Sequence, residues 1–238
     1  EGLTKGTIRT SGATDAVEDP AGTYTLHDNS DGTYTGVFVA GLVKGSQVIT
    51  AKLGGSAITD TATITLTPGA ATTGNSDVSV SPSSITANGT ATSTITVTLK
   101  DAEGNALEAG GSTVTVEGLT KGTIQTGGAS DAVESLVTPG KFTLHDNSNG
   151  TYTGVFVGNT KGTQTITAKL GVTALSHTAS VTFVPGPADT TTSTVTATGT
   201  RPGTPRSASP APARPMPSMI TTSTKKGTER RRSKTLKL

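Results

Sequence analysis

The residues that could do chemistry are most concentrated in HDNSDGTY at His27–Tyr34 and in its near-copy HDNSNGTY at His145–Tyr152. Asp28, Asp31 and Asp146 could offer oxygens to a hard cation, with Ser30 between the first two. A calcium loop of the EF-hand kind needs ligands at positions 1, 3 and 5, Gly at 6 and Glu at 12. Here Gly32 falls at position 5, no Glu follows, and Asp31 becomes Asn149 in the second copy, which removes charge the cation would require. These three carboxylates are weak metal candidates, and no cofactor is expected. A structural reading explains more: a tight turn at Gly32 and Gly150, followed by Tyr34 and Tyr152, whose hydroxyls bond back to upstream backbone and pin the fold.

Other constellations point away from catalysis. His27, His145 and His177 are the only histidines, and the first two are one position seen twice. Nothing resembles a nucleophile elbow or an oxyanion turn, so no catalytic residue is assigned and the chain is not read as an enzyme. Gly110-Gly111 and Gly127-Gly128 do not follow a strand and open a helix, as phosphate-cradling loops do; they read as turns. In Asp101-Ala-Glu-Gly104-Asn105 the acidic residues flank a turn glycine, and Asp101 and Glu103 read as solvated side chains with one backbone cap. The absence of Cys removes disulfides, thiolate metal sites and Cys nucleophiles together.

The elements that must position these residues are strands. Aromatic residues make up 3% of the chain and Trp is absent, so a core must come from Val, Ile and Leu on short strands. An internal repeat dominates the sequence. EGLTKGTI at 1–8 returns at 117–124, TLHDNSDGTYTGVFV at 25–39 returns with one change at 143–157, and ITAKLG at 49–54 returns at 166–171. The period of about 117 residues is near one whole β-sandwich and far beyond a solenoid unit. Drifts in offset place length changes at Asp19–Ala21 against Ser135–Pro139 and at Ala40–Val43 against Gly158–Thr160, in loop-like stretches.

The expected division is a C-terminal half copy at 1–68, a complete copy at 69–186 and the start of a third at 187–200. Within the complete copy, Ile95, Val97 and Leu99 alternate with Thr, as do Val78 with Ser79, Val114 and Val116 with Thr115, and Val181 and Phe183 with Thr182. Such period-two alternation gives each strand one buried and one wet face. About seven strands result, separated by turns such as Asn88-Gly89, Gly104-Asn105 and Asn149-Gly150, and the fold class is an all-β, immunoglobulin-like antiparallel sandwich.

With these residues laid out, SPSSITANGTATSTITVTLKDAEGNALEAGGSTVTV at 81–116 resembles the signature half of the invasin and intimin-type bacterial immunoglobulin-like repeats. The resemblance implies a structural spacer or display module of an adhesin-like protein on a bacterial surface, neighbouring repeats as partners, and an outer-membrane anchor beyond this stretch. It implies no shared catalytic centre. Direct binding of a host receptor or glycan is the alternative, and an accessory role beside a secreted carbohydrate-active enzyme is another. No apolar run reaches 18 residues and no leader opens the chain, so it is read as a fragment whose export signals lie elsewhere.

Charge divides the chain unevenly. Residues 1–186 hold 9 Lys and Arg against 15 Asp and Glu, whereas 187–238 hold 10 against 2. From Arg201 the sequence is rich in Pro, Ser and Arg without strand pattern, so 201–238 is expected to be a disordered basic tail. It breaks off the third copy and reads as a shifted frame or divergent end. With no aromatic residue to stack on bases, nucleic acid is not an expected partner.

Overall fold

The computed structural model describes residues 2–188, 191, 193–196 and 198. The tail expected at 201–238 lies outside the described residues, as does part of the expected third copy at 187–200. Residues up to Gly186 form one unit and those from Pro187 a second. Among the described residues there are strands and turns and no helix.

The half copy contributes eight strands: β1 (Gly6–Ile8), β2 (Val17–Glu18), β3 (Tyr24–Thr25), β4 (His27–Asp28), β5 (Tyr34–Thr35), β6 (Phe38–Ala40), β7 (Gly45–Leu53) and β8 (Ser56–Leu66). They pair only two by two, as β1 with β6, β2 with β3, β4 with β5 and β7 with β8.

The complete copy builds layers. Its strands are β9 (Thr72–Ser81), β10 (Ser84–Thr86), β11 (Thr92–Lys100), β12 (Val114–Val116), β13 (Thr123–Ile124), β14 (Val133–Glu134), β15 (Phe142–Thr143), β16 (His145–Asp146), β17 (Thr151–Val157), β18 (Gly162–Ile166), β19 (Ala168–Leu170), β20 (Thr173–Ala174) and β21 (Ala179–Val184). One sheet runs β13-β17-β11-β9, with β16 also on β17; the facing strands run β10-β21-β18 and β14-β15-β12-β19-β20, with only Thr167 between β18 and β19. Most neighbours are antiparallel, and β10 lies parallel to β21, with Ile85 opposite Phe183.

The alternation seen in the sequence becomes the core. Ile95, Val97 and Leu99 of β11 meet Val114 and Val116 of β12, Tyr152 and Phe156 of β17, Ile166, Val181 and Phe183, all buried. Phe156 and Phe183 pack edge to face at 5.3 Å, across the two layers. Several apolar positions of the half copy are more open than their counterparts, because residues 1–68 hold no counterpart of β9 to β12. Tyr34 is 56% exposed against 1% for Tyr152, and Ile58 is 45% exposed against 4% for its counterpart Leu175.

Candidate functional site

The most elaborate polar cluster described lies where the half copy meets the complete copy. A turn closes β11: Asp101 leaves the strand, Gly104 takes φ +85, and Asn105 returns with its carbonyl accepting from the Asp101 N–H at 3.0 Å. The positive φ explains the glycine, since an L side chain there would crowd the backbone. Inside the turn, Asp101 Oδ1 accepts from the N–H groups of Glu103 (3.1 Å) and Asn105 (2.8 Å), and Oδ2 accepts from Asn105 Nδ2 at 3.0 Å. A further bond comes from outside: the Gly69 N–H, in the linker between copies, donates to Asp101 Oδ2 at 2.9 Å.

This corrects the reading of Asp101 as a solvated cap. The residue is 2% exposed and collects four hydrogen bonds; the physical reason is that the linker folds back over the turn and removes its water. Glu103 is exposed, as expected. The Asn105 side chain, followed by the backbone N–H groups, holds the Asp101 carboxyl below the usual carboxylate range, although burial acts in the opposite direction.

Asn105 also faces the other way. Its Nδ2 donates to the Leu42 carbonyl at 2.8 Å while its Oδ1 accepts from the Lys44 N–H at 3.1 Å, so one carboxamide occupies both backbone groups of the loop between β6 and β7. Lys44 Nζ completes the joint, donating to the Ala106 carbonyl at 2.7 Å and pairing with Glu108 at 2.8 Å. Beside it lies a cavity of about 520 Å³, lined by Phe38, Leu42, Ile64 and Leu66 from the half copy and by Asp101 and Asn105 from the complete copy. Asn105 and Gly104 were legible in the sequence as turn residues. Leu42, Lys44 and Gly69 were not, because nothing in a loop or linker signals which distant turn it will meet.

The two HDNS loops use their carboxylates on backbone. Asp28 accepts from Ser30 N–H at 2.9 Å and Asp31 from Thr33 N–H at 3.0 Å and Thr33 Oγ1 at 2.6 Å. Asp146 accepts from Gly111 N–H at 2.6 Å and from Ser148 N–H at 2.8 Å, bonds that hold its carboxyl below the usual carboxylate range. Among the described residues no group of three or more His, Asp or Glu comes together as an ion would require. The turn glycines sit at φ +86 (Gly32) and +82 (Gly150), and the serines before them also adopt positive φ, which the sequence did not signal.

Tyr152 is buried, and its hydroxyl accepts from the Ser112 N–H at 3.0 Å. Tyr34, expected to do the same, does not: it is exposed, and residues 1–68 hold no counterpart of Ser112 to receive it. A repeated pair that the sequence reading missed is Gln47 and Gln164. Each is buried, accepts at Oε1 from two consecutive N–H groups (Thr4 and Lys5, or Thr120 and Lys121), and donates Nε2 to the carbonyl of the next residue. Their equal placement after Lys-Gly in both copies was the available signal.

Two layers of mostly antiparallel strands closed over one apolar core define an immunoglobulin-like module. Residues 72–186 match the family model for invasin domain 3, and this copy belongs to the invasin and intimin-type bacterial immunoglobulin-like family. Among solved structures, the chain is similar to InvD of Yersinia pseudotuberculosis at 27% identity and TM-score 0.49, covering 82% of this chain and 51% of that one. It is similar also to invasin, described as a bacterial integrin-binding protein, at 23% identity and TM-score 0.41, covering 79% and 34%. The Escherichia coli adhesin FdeC matches at 20% identity and TM-score 0.45, covering 79% and 54%. This chain thus spans about half or less of the length of these relatives. No curated protein sequence matches it.

Proposed function

We propose that this chain is a structural spacer of a bacterial cell-surface adhesin-like protein, with 1–68 as the C-terminal half of one immunoglobulin-like module and 69–186 as the complete module that follows it. On this reading the module is exported, is held at the outer membrane by another part of the protein, and places a receptor-binding part away from the surface. The observation that carries the reading is the joint: Asn105, Asp101 and Lys44 tie the end of one copy to the start of the next with direct hydrogen bonds. A linker of Thr-Pro-Gly alone would let the copies swing, whereas bonds on both sides of one turn fix their register. Length and stiffness serve reach, and neither requires a ligand on the module itself.

The test is replacement. In an adhesin displaying this chain between its anchor and its binding tip, deleting 69–186 lowers cell adhesion, and inserting an unrelated sandwich of equal length restores it. Failure of the unrelated insert, with the native segment working, would reject spacing.

One observation favours direct contact as a second reading. Leu136 and Val137 are 100% and 92% exposed at the tip of the loop between β14 and β15, where the complete copy carries Ser135–Pro139 against Asp19–Ala21. Exposed aliphatic pairs at a loop tip suit an apolar pocket on a receptor. Competition by the purified chain against adhesion of the whole protein, lost in the double variant L136D/V137D, would establish it.

A further inference from the structure

The joint grips the Asp101 turn with groups that the chain carries twice. Leu42, Lys44 and Gly69 recur, at a constant offset of 117, as Asn159, Lys161 and Gly186. The loop is one residue shorter in the complete copy, 158–160 against 40–43, but the backbone from the lysine onward matches. Gly45 and Gly162, each directly after the lysine, have φ +125 and +124. Gln47 and Gln164 anchor the same pair of N–H groups. Gly41 donates to the Lys5 carbonyl at 2.7 Å, and at its counterpart Gly158 a Cβ would come within 2.3 Å of the Lys121 carbonyl, so the loop hugs the same neighbour.

Within the loop, residues 42–44 against 159–161, two positions differ, Leu42 against Asn159 and Val43 against Thr160. The groups that hold Asn105 there are the Leu42 carbonyl and the Lys44 N–H, which are backbone, so these side-chain changes leave the grip intact. In the complete copy the corresponding stretch Asn159–Lys161 is exposed. A carbonyl and an N–H two residues apart, beside an ammonium, are complementary to a carboxamide with a carboxylate nearby.

The geometry points to Asn159–Lys161, together with Gly186, as a second docking socket, whose partner is the Asp-x-x-Gly-Asn turn of another module of this family following Gly186. This rests on the modular spacer reading and names the partner of its open end. The Asn159 carbonyl and Lys161 N–H take the turn's carboxamide, Lys161 Nζ takes the carbonyl and acidic side chain just after it, and Gly186 N–H caps the turn's Asp. Asp in place of the turn's Asn removes the donor and sets a carboxylate against the Asn159 carbonyl, so the socket discriminates between them.

The experiment compares the full chain with one in which 187–238 is replaced by a further copy of 70–186. Hydrogen exchange at the Lys161 amide is the readout, with Lys44 as internal standard. Slowing of Lys161 exchange by tenfold or more in the lengthened chain, reversed by N105D placed in the appended copy alone, is the expected result. An appended module that melts cooperatively while Lys161 still exchanges fast overturns the socket and leaves the modular reading standing. An appended module that does not fold overturns both.

Discussion

A carboxamide offers a donor and an acceptor side by side, and Asn105 uses both on one loop while its Nδ2 also serves Asp101. Asn105→Asp keeps the shape and loses the donor, so it should lower chain stability by about 2 kcal/mol and speed exchange at the Lys44 amide, as seen by calorimetry and hydrogen exchange. The joint should also sense acid. Asp101 has a folded-state value below its unfolded one of about 3.9. A depressed carboxylate contributes stability that is complete above the unfolded value and is lost as pH falls through the folded value. Lys44 amide protection is therefore expected to hold at pH 5 and to fall away below about pH 4, with a weaker pH dependence in D101N, where the group no longer titrates. The same residue-level logic separates the two tyrosines. Tyr152→Phe leaves the Ser112 N–H unsatisfied and should cost about 1–3 kcal/mol, while Tyr34→Phe at an exposed ring should stay within about 0.5 kcal/mol. Equal effects in thermal melts would contradict the environments described.

At the scale of elements, near-identical sequence keeps its hairpin pairing in both copies and gains a neighbour in one. In the half copy β7 and β8 zip together from Gly45–Leu66 to Leu53–Ser56 with one irregularity between Thr50 and Lys52. In the complete copy the same registers recur, with β18 on β21 and β19 on β20, and the other edge of β19 takes β12, with Leu170 against Val114. Residue type was enough to read the strands, their buried faces and the glycine turns, since alternation and positive φ are local properties. That the second edge of β19 would take β12 was not legible, because that partner lies more than 50 residues away in sequence. The joint was hidden for the same reason, although its turn was plain. Glycines test how far environment outweighs identity. Gly32 and Gly150 share positive φ, yet a Cβ at Gly32 meets nothing within 4 Å while one at Gly150 comes within 2.3 Å of the Leu107 carbonyl. Gly32→Ala should cost about 1 kcal/mol from backbone strain alone. Gly150→Ala should cost about 3 kcal/mol, because β11 or the following loop must also shift. Urea titrations of the two variants compare them directly.

At the scale of the whole molecule, the sandwich and the half copy differ in what closes the core. In the complete copy Ile85, Ile95, Val97 and Leu99 lie between the layers, each 6% exposed or less. Residues 1–68 have no counterpart of these four side chains, and at about 2 kcal/mol each that is about 8 kcal/mol of burial. A domain's whole margin is about 5–15 kcal/mol, so the loss is comparable to everything that keeps such a fold together. What remains in the half copy is one long hairpin and three short pairs of strands, and an isolated two-stranded hairpin is marginal in water. Its contacts with the complete copy through Leu42, Lys44 and the linker then act as a scaffold as well as a joint. A polypeptide of residues 1–68 is accordingly expected to show no cooperative thermal transition and to associate through its open strand edges, while residues 69–186 alone melt in a single cooperative step. Circular dichroism melts and sedimentation of the two pieces provide the comparison. A sharp, concentration-independent melt of the shorter piece would mean that its hairpins supply a core of their own, and the account of β9 to β12 as the closing half of each module would have to be given up.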